Sequence, residues 1–171
     1  MLKGDHIILR ALEPQDLELL YKWENDIDIW KVSQTITPFS KHLLSKYLDN
    51  AHLDIYTVKQ LRLIIEFNNK PIGTIELFDF DPTHNRAGLG IWIVHHEDRR
   101  KGYAKEALNL LIDYSFNKLH LNQLYCNISA SNQASINLFS SLDFILIGIK
   151  KKWNKTPKGW DDELMFQLLC D

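Results

Sequence analysis

The chain has 171 residues, 45% of them hydrophobic and 25% charged, with a formal net charge of −2. That length suits one domain with a real core, expected over residues 1–171, and the near-neutral charge gives no global case for nucleic acid, whose partners carry a basic face. Two cysteines, Cys126 and Cys170, make no disulfide or metal framework; His95 and His96 lack the i, i+4 spacing of a helical metal pair; and no run of 18 apolar residues could cross a membrane.

In chain order, the first residues lack the apolar core of a signal peptide, so a cytoplasmic protein is expected. Residues 6–12 read as a strand, and Pro14 suits a first helical position, where its missing N–H costs nothing. Leu17, Leu20 and Tyr21 mark that helix's buried stripe. Residues 23–38 show no clean period and read as a surface loop with a frayed helical piece, a kind of segment where function sits. Ser40 can cap a second helix with Leu43, Leu44, Tyr47 and Leu48 facing inward. Next comes a hairpin: residues 61–67 alternate, Asn68-Asn69-Lys70 turns the chain, and residues 72–80 return. A second turn leads into a strand over residues 86–94.

Ala104, Ala107, Leu108, Leu111, Ile112, Phe116 and Leu119 then follow the rhythm of one buried helical face. This helix opens on a basic, glycine-containing turn, Arg99-Arg100-Lys101-Gly102. The first turn of a helix has unpaired N–H groups and a partial positive charge, and Gly102 has no Cβ to hold a ligand away, so the arrangement suits a pyrophosphate. A solvated basic loop is the alternative. The phosphate-loop pattern G-x-x-x-x-G-K-[ST] is absent, and Gly88-Leu89-Gly90 lacks the third glycine of a dinucleotide fingerprint and precedes its strand's apolar run. A strand over 123–128, a helix over 132–142, a strand over 144–153, a turn and a strand over 162–169 complete the chain. The order implies an α/β (α+β) single domain with a mixed, mostly antiparallel central sheet and helices on both faces.

Arg99 to Ala104 resembles the [QR]-x-x-G-x-[GA] acetyl-CoA motif of the GNAT superfamily of N-acetyltransferases. Asn132 with the following short helix, ending Leu142-Asp143-Phe144, is similar to that family's asparagine and Leu-Gly-Phe segment, and Ile8 to Asp16 resembles the start of its ribosomal-protein and polyamine branches. The resemblance implies a V-shaped split between the strands ending near Val94 and Ile128, with acetyl-CoA as co-substrate and no metal. It places the backbone of Ile93 and Val94 along the pantetheine arm, and Arg99, Arg100, Lys101, Gly102, Tyr103 and Ala104 at the pyrophosphate. Asn132 would bond the pantetheine or serve as a helix cap, with Ser135 a lesser candidate. Many relatives carry a tyrosine as general acid where this chain has Phe139, which has no proton to give.

An amine acceptor is almost wholly ammonium at pH 7 and must lose a proton before attack. Glu76, an acid inside the apolar run Thr74-Ile75-Glu76-Leu77-Phe78, is the candidate base, or else an acid on a solvent face. Asp26, Trp30 and Asp79 are candidates for the acceptor side, as is Trp160, with simple packing or surface roles as alternatives. The expected function is acetyl transfer to a primary amine, a polyamine such as spermidine being favoured; the alternatives are a protein N-terminus of the ribosomal type and a non-catalytic acyl-CoA-binding module. No nucleic acid or membrane partner is expected, and homo-oligomerisation stays open.

Overall fold

The alternation that begins at Leu61 is realised as a hairpin, and the sheet extends from it in both directions. A computed structural model describes residues 1–33 and 35–170, so Gln34 of the expected loop and Asp171 lie outside it. The strands are β1 (Leu2–Lys3), β2 (Ile7–Ala11), β3 (Leu61–Phe67), β4 (Lys70–Asp81), β5 (Arg86–Ile93), β6 (Gln123–Ser129), β7 (Ile145–Thr156) and β8 (Gly159–Leu169). They form one sheet in the order β1-β2-β3-β4-β5-β6-β8-β7. Among the described residues only β5 and β6 are parallel neighbours.

The helices are α1 (Leu17–Glu24), α2 (Ile27–Ser33), α3 (Lys41–Asp49), α4 (Ile55–Val58), α5 (Tyr103–Asn117) and α6 (Gln133–Ser140). Successive strand residues point to opposite faces. Leu63 and Ile65 enter a core shared with Ala107, Leu108 and Leu111 of α5, whereas Ile64 between them joins Leu20 and Trp23 of α1 and Leu44 and Leu48 of α3. Helices therefore cover both faces, as expected.

The parallel pairing of β5 with β6 covers only residues 86–88 against 123–125. Beyond that the strands share no register, which leaves the expected split open toward Ile93 and Ser129. Among the described residues no helix is long and apolar enough to cross a membrane.

The helical piece expected within residues 23–38 is α2, opened by Asp26, whose Oδ1 accepts the Asp28 N–H at 2.8 Å. Other expectations are corrected. Pro14 starts a 3-10 turn, Pro14–Asp16, ahead of α1. Leu43 is 51% exposed, so the inward face of α3 rests on Leu44 and Leu48. The four-residue α4 is too short to show a period. The last hairpin is tighter than expected, which puts Trp160 on β8 with 61% of its surface exposed.

Candidate active site

Gly102 stands just ahead of α5 at φ 89°, a left-handed conformation that costs L-residues but not glycine. No side chain caps the helix there, and the first-turn N–H groups of Tyr103, Ala104 and Lys105 take no acceptor among the described residues. A Cβ on Gly102 would meet nothing within 4 Å, so the amides face open space. Arg100 and Lys101 are exposed beside them. Lys101 Nζ lies 3.8 Å from Asp98 Oδ1, while Asp98 Oδ2 is buried without a hydrogen-bond partner. The Tyr103 ring is buried against Phe67, with centroids 4.7 Å apart, so only its backbone serves the helix start.

Arg99 turns away from this cradle. Its Nε donates to the Ile93 carbonyl at 2.9 Å and its Nη2 to the Val94 carbonyl at 3.1 Å. The Val94 N–H is also used, donating to the Ile72 carbonyl at 3.0 Å. That bond fixes the alternation of the β4–β5 ladder. Gly90 and Trp92 exchange bonds with β4, and the backbone groups of Leu89, Ile91 and Ile93 point toward the split. On the opposite wall, the Ala130 N–H bonds the Asp162 carbonyl, so Asn127 and Ser129 turn their backbone groups inward from β6. The edge offered to an extended ligand is therefore centred on Ile91 and the N–H of Ile93. This corrects the expectation for Val94, whose amide and carbonyl are both occupied. An open helix start leading into a slot edged by the backbone of Ile91 and the N–H of Ile93 fits a diphosphate carrying an extended, amide-bearing arm.

On the sheet face covered by α1 and α3 lies a cavity of about 100 Å³, walled by Trp23, Ile29 and Trp92 and by Glu24, Arg62 and Glu76. Glu76 sits opposite Gly90 on β5 and opposite Arg62 on β3. Its Oε2 accepts a hydrogen bond from Gln60 Nε2 at 2.8 Å and lies 3.5 Å from Arg62 Nε. Arg62 Nη1 lies 2.7 Å from Glu24 Oε1, and the Tyr47 hydroxyl donates to Gln60 Oε1 at 3.3 Å. Glu76 is thus not an acid on a solvent face. It belongs to a half-buried network of two carboxylates around one guanidinium. Burial pushes the Tyr47 phenol up, so the ring stays neutral, and the two carboxylates hold the Arg62 guanidinium charged despite its burial. The Gly90 backbone borders the cavity where β5 also borders the split.

Gly88 has a packing role instead of a phosphate role: a Cβ there would collide with the Phe78 ring. That ring, in turn, packs edge-on against Tyr125 of β6, whose hydroxyl donates to Asp79 Oδ2 at 3.3 Å. Asp79 lies at the β4 bulge near the closed end of the split, with φ 48°. Asp26 is spent on opening α2, and the Trp30 indole Nε1 donates to the Glu24 carbonyl at 2.6 Å, which ties α2 to the end of α1. Asn132 caps α6, its Oδ1 accepting the Ser135 N–H at 3.2 Å. Phe139 is 4% exposed and packs edge-on against Phe144, within the core. Cys126 is buried as well, its thiol pushed up to about 12 by desolvation. Sequence reading missed Glu24, Arg62, Gln60 and Tyr47; a cation on the strand beside Glu76 was the signal available.

Comparison with known proteins agrees with this geometry. A family model described as an acetyltransferase (GNAT) domain matches residues 6–145. The uncharacterized N-acetyltransferase p20 of Bacillus licheniformis is 29% identical over 168 residues, covering 96% of this chain and 93% of its own length. The spermidine N(1)-acetyltransferase of Escherichia coli K12 is 28% identical over 140 residues, 82% of this chain and 73% of that protein. The crystal structure of spermidine N-acetyltransferase from Vibrio cholerae in complex with CoA and spermine superposes with a TM-score of 0.86 at 24% identity, covering 97% of this chain and 96% of that one. Since the family model spans most of the chain, the protein belongs to the GNAT family of acetyltransferases and is an acyltransferase.

Proposed function

We propose that the chain, acting as one domain in the cytoplasm, transfers acetyl from acetyl-CoA directly to the primary amine of an aliphatic acceptor, with a polyamine such as spermidine favoured. The observation that carries this is the meeting of two features at Gly90 and Ile91: one side of β5 borders a cavity with two carboxylates, and its edge faces the split. The names of the spermidine-acetylating relatives support the acceptor class. A cavity of about 100 Å³ admits a slender amine head more readily than a protein N-terminus with its first side chain.

When bound, acetyl-CoA supplies a thioester carbonyl open to attack by an amine. The amides at Tyr103, Ala104 and Lys105 take the diphosphate, with Arg100 and Lys101 adding charge, and the inward edge at Ile91 and Ile93 aligns the arm. Arg99 acts one step back by holding the end of β5 in place. Asn132 keeps Oδ1 for its own helix and has its Nδ2 free to donate to the arm. Glu76 binds the acceptor ammonium, takes one proton from it and passes that proton to water. The amine nitrogen then forms its bond to carbon as the C–S bond breaks. The departing thiolate, with a reference pKa of about 8.5, takes the remaining surplus proton from that nitrogen, so no tyrosine is required at Phe139.

The test is thiol release from acetyl-CoA with spermidine, a monoamine and an N-terminal peptide panel. Turnover on spermidine is expected, together with a fall in kcat of about 100-fold for Glu76→Gln, the usual scale for losing a general base. Turnover on peptides alone removes the polyamine reading, and CoA binding with no turnover on any amine makes the chain a binding module.

A further inference from the structure

We propose that Arg62 and Glu24 are positioning residues that hold the acceptor cavity at one net negative charge, which makes it select an aliphatic ammonium head over a neutral acceptor. This rests on the acetyl-transfer reading above. The cavity wall carries two carboxylates and one guanidinium, and all three are largely withdrawn from water: the side chains of Glu24, Arg62 and Glu76 are 11%, 19% and 26% exposed. From the surrounding elements, Tyr47 of α3 and Gln60 before β3 also face Glu76, and both are neutral. Trp23, Ile29 and Trp92 make the remaining wall largely apolar, with Ser33 and Thr74 beside them. In such a place an uncompensated charge is expensive.

The two ion pairs differ in a way that assigns the roles. Arg62 Nη1 holds Glu24 at hydrogen-bond distance, 2.7 Å, whereas its Nε stands 3.5 Å from Glu76 and is buried with no hydrogen-bond partner. Glu24 therefore keeps the guanidinium, and Glu76 is the carboxylate an incoming ammonium can engage. Without Arg62, nothing would hold Glu24 and Glu76 to a common partner, and two like charges on one wall would push each other out of place. Without the charge of Glu24, the guanidinium and Glu76 would cancel, and nothing would favour a cation.

The experiment measures kcat/KM on the full chain for an alkylamine, an ammonium at pH 7, and for an arylamine, neutral at pH 7. It compares wild type with Glu24→Gln, Arg62→Gln and Arg62→Lys at about pH 7, where the alkylamine is charged and the arylamine is not. Glu24→Gln is expected to raise KM for the alkylamine about tenfold with kcat nearly unchanged, and to lower the alkyl-to-aryl preference by the same factor, about 1.4 kcal/mol. Arg62→Gln is expected to lower kcat for both amines about tenfold by letting Glu76 move from its place, and Arg62→Lys, which keeps the charge, to restore part of it. Affinity for CoA should not move in any variant, which separates these effects from misfolding. Should Arg62→Gln fail to fold, Glu24→Gln and Arg62→Lys still decide the matter. An alkyl-to-aryl ratio untouched by Glu24→Gln overturns this proposal alone, and so does an Arg62→Gln variant that keeps the wild-type kcat on both amines. Wild-type inactivity on both amines overturns it together with the acetyl-transfer reading.

Discussion

The two strands that bracket the split each run into a helix, and the two helices begin differently. At α6, Asn132 closes the first turn with its own side chain. At α5, Gly102 brings no side chain, holds a left-handed backbone and leaves the first amides facing open space. A polar N-cap stabilises a helix by about 1 kcal/mol, and α5 forgoes it although α3, α4 and α6 all have one. The neighbouring charges differ in the same sense: exposed Arg100 and Lys101 precede α5, while Ser131 and Asn132 precede α6. A helix start closed from within supports the fold. One left open beside cations is available to an anion.

Substitution at Gly102 should break the contrast most severely. In Gly102→Val a β-branched residue would have to take φ 89°, and its side chain would fill the space over the amides. Loss of two charge-assisted hydrogen bonds at about 1.5 kcal/mol each predicts a rise in KM for acetyl-CoA of about 100-fold. The backbone strain of about 1–2 kcal/mol should lower Tm by only a few degrees. Calorimetric titration with CoA reads the first effect, and wild-type affinity would show that the diphosphate sits elsewhere.

The open start was legible because a glycine after three basic residues stands directly before a clean helical period. The acceptor side was only half legible. Glu76 stood out as an acid in an apolar run, but its partner Arg62 did not, because the hairpin register slips. Phe67 pairs with Lys70 and Glu66 with Pro71, yet Ile65 pairs with Gly73. Pro71 has no N–H to donate, and the irregularity beside it moves Arg62 from opposite Ile75 to opposite Glu76. Counting back from the turn gives the wrong partner. Glu24 was hidden for another reason: it ends α1 where the periodicity fades, and what fixes it is Arg62 from a distant strand. Arg99 was misplaced because spacing locates a guanidinium within a loop but cannot show that the carbonyls of Ile93 and Val94 reach it first.

The closed start sharpens the comparison at smaller cost. Asn132→Ala removes the cap of α6 and should lower stability by about 1 kcal/mol, or about 2–4 °C in Tm for a chain of this size. Loss of the Nδ2 donor should weaken CoA by about fivefold, the value of one ordinary hydrogen bond. Asn132→Ser tells the two apart, since serine restores the cap without the amide. Recovery of Tm with the affinity still reduced is expected, and recovery of both would leave Asn132 a structural residue only.

The 3-10 turn ahead of α1 extends the comparison to a turn closed by charge, and there the effect depends on pH. Asp16 accepts the Glu13 N–H at 2.8 Å and is held by Arg10 through two bonds of 2.7 and 2.8 Å. Burial pushes the Asp16 carboxyl up, but the Arg10 hydrogen bonds and the Glu13 N–H outweigh it, and its pKa lies below the ordinary 3.8. A carboxyl depressed by folding contributes stability that is fully present above its unfolded value, near 3.8, and is lost as pH falls through the folded one. Asp16→Asn keeps an acceptor for Glu13 but loses the charge facing Arg10. At neutral pH the variant should be less stable than wild type by about 1.5–3 kcal/mol, the range for a hydrogen bond to a charged group. Below pH 3.8 the denaturation midpoints of the two should converge, because wild type then loses what the variant never had. A gap that stays constant down through this range would mean that the Arg10–Asp16 contact holds this turn by shape and hydrogen bonding alone, and that charge matters only at the helix start left open.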